Sequence, residues 1–225
     1  MKKEDVYNLL EENKNERGIE NWKKFKYENW TSFGIGLTQL KKLAKKIGKD
    51  HKLAQELWKE PNYDIKIISI LIEEPSKISE KQIKAMVSNV SMWMLSHTWV
   101  QNIFCKVPFA KELAENWRKS TIEIERRCSY AFLYYLAKDT KISDTYFSPI
   151  LNVIEKKIQQ EENFVKEAMN NALFAIGQRS KSLNFRCIEI AKKIGKIEVD
   201  YGDNSCEAVD VIKHLTSERM KKKFN

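Results

Sequence analysis

Along most of the chain, apolar residues return every three or four positions, the spacing of one face of an α-helix, with short polar breaks between runs. Two amphipathic pieces, Asp5–Glu12 and Ile19–Tyr27, come first. Thr38 stands where an N-cap would precede QLKKLAKKIG, and Gly48 closes that segment as a C-cap. Asp50 starts the next helix, HKLAQELWKE, which Pro61 stops. Further helices are predicted over Tyr63–Glu73, Ser79–Ser88, Ser91–Phe104, Pro108–Lys119, Glu123–Lys138, Ser143–Gln160, Phe164–Arg179 and Ser182–Ile194. Ser79 with Gln82 forms a capping box, and Pro108 suits a first turn. The non-helical stretch is Glu198–Cys206, followed by a last helix to about His214; Met220–Lys223 and the rest of the 216–225 tail read as frayed.

Helix pairs returning every ~35–45 residues match the period of HEAT and armadillo units. Such a unit cannot bury its apolar face alone, so units stack into a curved array with a concave groove. The expectation is an all-α, HEAT/armadillo-like α-solenoid of antiparallel helix pairs, one domain over residues 1–225, with a compact helical bundle as the alternative.

Composition narrows this further. With 7 Gly and 4 Pro there is little turn chemistry for a many-stranded sheet. The balance of 40 Lys and Arg against 31 Asp and Glu leaves +9, a field that favours polyanions such as nucleic acid and makes the expected groove basic. Cys105, Cys128, Cys187 and Cys206 form no C-x-x-C pair and read as reduced thiols, mostly buried. Neither a signal-peptide core nor a run of about 18 apolar residues occurs, so no membrane partner is expected and the location is read as cytoplasmic. P-loop, nucleotide fingerprint and H-E-x-x-H are all missing, so no metal, nucleotide or other cofactor is expected.

Four groups of residues could carry chemistry. Trp93 and His97 stand one helical turn apart and share a face, while Trp99, Ile103 and Phe104 fall on other faces and are expected in the core. Arg126 and Arg127 diverge by about 100° on a helix, so at most one points down a given groove; a guanidinium suits a phosphate, and pairing with Glu123 or Glu125 is the plainer reading. In Phe164–Arg179 the polar exceptions are Asn170, Asn171 and Arg179, and adjacent asparagines inside a helix imply a local task, bonding backbone or phosphate. Lys41, Lys45 and Lys49 repeat at four-residue spacing as a ridge that could track a DNA backbone, or simply meet solvent.

In order and spacing these segments resemble the DNA alkylation repair family, alkylpurine DNA glycosylases built of HEAT-like repeats, over roughly Trp30 to Leu215. The resemblance is carried by Phe33-Gly34-Ile35, Leu53–Trp58, Ile72-Glu73-Glu74-Pro75, the Trp93 helix, Arg126-Arg127, Ala168–Asn170 through Ile176–Arg179, and Val199–Gly202 on to Cys206. It implies excision of cationic N3- and N7-alkylpurines by a carboxylate that faces the sugar while tryptophans contact the base.

Carried over by position, Trp93 takes the Trp site of a Trp-x-x-x-Asp frame, His97 the catalytic Asp site and Arg127 the phosphate-binding Arg site. Asn171 falls where a second tryptophan is expected, and Phe25 where an aromatic approaches the lesion. The resemblance thus implies a DNA-binding protein, engaging duplex or distorted DNA through Arg127, Arg126, Phe25, Asn171, Arg179, Lys41 and Lys45, with weak or absent excision. Two other readings stand beside it: an active glycosylase with altered substrate or an alternative acid such as Glu125 or Asp139, and a helical scaffold for protein partners.

Overall fold

The computed structural model describes residues 1–25, 30–203 and 205–224, and among them no named strand occurs; the secondary structure is helical apart from an isolated parallel bridge between Thr31 and Asn62. The chain divides into two compact units, Met1–Pro108 with Gly202–Asn204 and Phe109–Tyr201 with Ser205–Asn225. The first holds α1 (Lys3–Glu11), α2 (Glu16–Lys23), α3 (Leu37–Ile47), α4 (His51–Leu57), α5 (Tyr63–Ile72), α6 (Glu80–Val87) and α7 (Trp93–Asn102). The second holds α8 (Ala110–Trp117), α9 (Glu123–Leu136), α10 (Ser148–Lys157), α11 (Asn163–Gly177), α12 (Lys181–Ile194), α13 (Val211–Leu215) and α14 (Glu218–Phe224).

In the first unit α5 is the central helix. Ile65, Ile67, Ile68, Ile70 and Ile72 point all round it, and Asp64, Lys66 and Ser69 between them are buried as well, so the helix is enclosed on every side. Hydrogen bonds at both ends fix its direction. Before α3, Ser32, Phe33 and Ile35 bond the Asp64 carboxylate at the start of α5. After α3, Lys49 and the Asp50 amide bond carbonyls of Leu71, Ile72 and Glu73 at the end of α5. Therefore α3 and α5 run the same way, and α4 is the return between them.

The second unit repeats this design. Arg126 at the head of α9 meets Glu161 and Glu162 just before α11, and Arg179 after α11 meets Ala137, Asp139 and Ile142 just after α9. So α9 and α11 are parallel neighbours, with α10 returning the chain. Tyr130, Leu133, Phe147, Ile154, Met169 and Leu173 lie in their common core.

Caps explain several boundaries. Asp50 accepts the Leu53 amide, Ser79 and Gln82 form the expected box, and Gly48 ends α3 with φ +83°. The cap of α3 is Gly36 instead of Thr38, because the preceding loop is already tied to Asp64 and delivers the chain into the helix sooner. The tail is also ordered where fraying was expected: α14 anchors on Met220, which is 5% exposed. The predicted extension of the second helix to Tyr27 falls, from Lys26 on, outside the described residues, as does Asn204 in the Glu198–Cys206 stretch.

Gly18 and Gly34 meet backbone to backbone. A Cβ on Gly34, whose φ is +69°, would lie 2.4 Å from the Asn15 carbonyl oxygen, so α2 can approach this loop only through glycine.

Candidate nucleic-acid interface

Four positions of α7 (Leu95, Ser96, Trp99 and Val100) are buried, and Trp99 stacks on Phe104 with ring centres 5.5 Å apart. Trp99, Ile103 and Phe104 are all fully enclosed, as their faces predicted. The opposite positions, Trp93 and His97, are half-buried. Their rings meet edge to face at 6.4 Å and 83°. One helical turn thus presents an indole and an imidazole together at the surface of the first unit, held by an inward face that cannot rotate away.

In the same unit Phe25 follows α2, half-buried, its ring 6.2 Å from that of the buried Trp22. Lys41 and Lys45 are exposed along α3. Lys49 leaves their ridge, donating to the carbonyls of Leu71 and Glu73 at 2.9 and 2.8 Å. Burial lowers its pKa.

In the second unit the expected cations have internal partners. Arg127 is 2% exposed, with Nε 3.4 Å from Glu123 and its guanidinium over the Phe164 ring. Burial raises the Glu123 carboxyl, and the Arg127 charge opposes that rise. Arg126 bonds Glu161, Glu162 and the Ser120 carbonyl. Of the alternative acids, Glu125 is half-buried on α9, and the exposed Asp139 accepts the Lys141 amide.

Arg179 is committed most completely. It donates to Asp144 and to the carbonyls of Ala137, Asp139 and Ile142, and lies 4.8 Å from the centre of the Phe147 ring. Four of its five N–H groups thus hold the turn after α9. The asparagines serve backbone and neighbour: Asn170 donates to the Val209 carbonyl at 2.8 Å, and Asn171 to Glu167 at 2.6 Å.

A family model described as DNA alkylation repair enzyme matches residues 6–196. The chain belongs to that family. An uncharacterized protein of Listeria innocua, Lin0241, is 26% identical over 190 residues, 83% of each chain. A second, Lmo0209 of Listeria monocytogenes, is 24% identical over 194 residues, 85% of each. A solved structure described as a new family of proteins related to the HEAT-like repeat DNA glycosylases with affinity for branched DNA structures superposes with a TM-score of 0.86. It is 24% identical, and the match covers 100% of this chain and 96% of the other. The expected all-α, HEAT-like fold is therefore present.

Several buried polar residues of this family member belong to no sequence motif. Asp64 and Lys66, two charges inside YDIKIISILI, are the signal that could have exposed them. Asp64 is fully enclosed and accepts three hydrogen bonds, and burial still raises its pKa. Lys66 donates to the Trp58 carbonyl and sits 4.4 and 5.1 Å from the ring centres of Trp58 and Trp30; burial pushes its pKa down to about 8. The buried Glu73 carboxylate likewise holds His51 Nδ1 and Gln55 at 2.6 Å each.

Proposed function

We propose that this chain binds branched or otherwise distorted DNA and excises N3- and N7-alkylpurines weakly or not at all. The observation that carries the reading is the half-exposed Trp93–His97 pair. The indole offers an apolar edge to an unstacked base, as aromatic side chains do for single strands and junctions. Neutral imidazole supplies no negative charge to an oxocarbenium-like sugar, and protonated imidazole repels it. A carboxylate about 4 Å from a full positive charge contributes about 4 kcal/mol at an effective dielectric near 20. That is about a thousandfold in rate, which this site forgoes.

The excess of nine positive charges favours a polyanion, and Lys41 and Lys45 are exposed to follow a backbone. To reach a phosphate, Arg127 would have to exchange Glu123 for it. The fold relative with affinity for branched DNA points the same way.

The test pairs two assays on purified protein. A four-way junction should be bound more tightly than a duplex of the same sequence, with affinity falling steeply as salt rises. DNA carrying 7-methylguanine and 3-methyladenine should release base no faster than without protein. Rapid release that disappears in His97→Ala would instead establish an active glycosylase, and salt-insensitive, negligible DNA binding would favour the protein scaffold.

A further inference from the structure

At the common C-terminal end of α9 and α11 lies a cavity of about 290 Å³, wholly within the second unit. Its polar lining is Lys138, Thr140, Gln178, Arg179 and Lys223, with two alanines behind them, and no carboxylate is among the lining residues. The cations come from three separate elements: the turn after α9, the turn after α11, and α14.

Cations at helix C-termini ordinarily answer the helix dipole, each end counting as roughly half a negative charge. Two helix ends together offset about one cation, and Asp144, 3.0 Å from Arg179, offsets another. One of the three charges remains over, and Lys222 stands exposed beside Lys223 on α14, while Lys221 pairs with Glu218 at 2.7 Å. Donors also remain. Arg179 spends four of its hydrogen bonds on Asp144 and three carbonyls, which fixes the guanidinium as one wall, 10% exposed. Lys223 donates to the Gln178 carbonyl at 2.6 Å, and an ammonium has two further N–H groups. The Lys138 ammonium rests 4.4 Å from the Tyr134 ring centre, a contact through its face that leaves its donors unspent. The Thr140 hydroxyl adds a neutral donor. At about 30 Å³ per water, the space admits a tetrahedral oxyanion with part of its hydration.

We propose that this cavity takes one phosphate group of the DNA backbone, as a contact separate from the Trp93–His97 face. The inference rests on the DNA-binding reading above and adds a specific anchoring point to it. The lysines are the exchangeable contacts; Arg179 is the fixed wall.

Lys138→Gln with Lys223→Gln removes two charges from the pocket and leaves Arg179 in place. Lys156→Gln with Lys157→Gln removes two from the exposed side of α10 and serves as the charge-matched control. Binding of a four-way junction is measured across a salt series for all three proteins, with thermal melting to verify folding. The pocket variant should bind several-fold more weakly and show a log–log salt slope smaller by about 1, the loss of one phosphate contact, while the control keeps the wild-type slope. In parallel, inorganic phosphate titrated into isotope-labelled wild type should shift the amides of Thr140 and Gln178, and not those in the pocket variant.

Equal slopes in the pocket variant and the control overturn the proposal, even where the wild type binds junctions well. Phosphate shifts at the pocket without any slope change mark a site for a free anion and also overturn it. Absence of DNA binding by the wild type overturns the DNA reading itself, a result distinct from either of these.

Discussion

Replacing Arg179 by alanine removes four hydrogen bonds at once: to Asp144 at 3.0 Å, and to the carbonyls of Ala137, Asp139 and Ile142 at 2.7, 2.9 and 2.6 Å. Hydrogen bonds from a charged donor contribute about 1.5–3 kcal/mol each when enclosed. Asp144 is 43% exposed and the Asp139 bond is at the surface, so water replaces those two at little cost. The two part-buried carbonyl bonds, at the low end of that range, with the guanidinium over Phe147, leave a net loss of about 4 kcal/mol. In a protein of this size that lowers the melting temperature by about 8–16 °C.

Far-UV circular dichroism against temperature measures the loss, and proteolysis should cut the 138–143 loop in the variant first. Arg179→Lys keeps the charge and one or two of the bonds, so it should recover only part of the stability. A variant that melts within about 2 °C of wild type but loses DNA affinity would refute the structural role and return Arg179 to phosphate binding.

Lys66 makes stability depend on alkaline pH. Burial lowers it from 10.5 to about 8, so between those values the unfolded chain holds a proton the folded one has released. Stability therefore rises as pH climbs through that window, and below about 8 the cost of the buried charge is constant. Lys66→Met should flatten the dependence; denaturant melts with identical pH slopes for both proteins would contradict this. Gly34→Ala should cost more than about 3 kcal/mol, since its Cβ meets backbone, whereas Gly48→Ala, with positive φ but open space, should cost less, about 1–3 kcal/mol. Urea unfolding of the pair checks the contrast, and similar losses would show that close approach is not what fixes Gly34.

How much of this protein was legible in its sequence depended on whether the information was local. Helix positions followed from apolar periodicity, and the caps at Asp50, Ser79 and Gly48 followed from residue type, because each is settled within a few residues of itself. The Trp93–His97 pairing was equally local, a matter of helical pitch. The order of the motifs was enough to suggest the family.

Partner assignments were not local. Arg127 and Arg179 looked like phosphate ligands, yet Arg127 faces Glu123 one turn earlier on the same helix and Arg179 holds a loop about forty residues upstream. Asn170 could have met backbone or phosphate, and only folding brought the Val209 carbonyl to it. Asp64 and Lys66 lie in an apolar run, and only the fold brings their donors and carbonyls to them. The sequence by itself determined which surfaces each helix could bury; the tertiary structure decided which charges remained free for a ligand. A side chain's charge is written in its residue type, but its availability depends on what the rest of the chain has placed within reach.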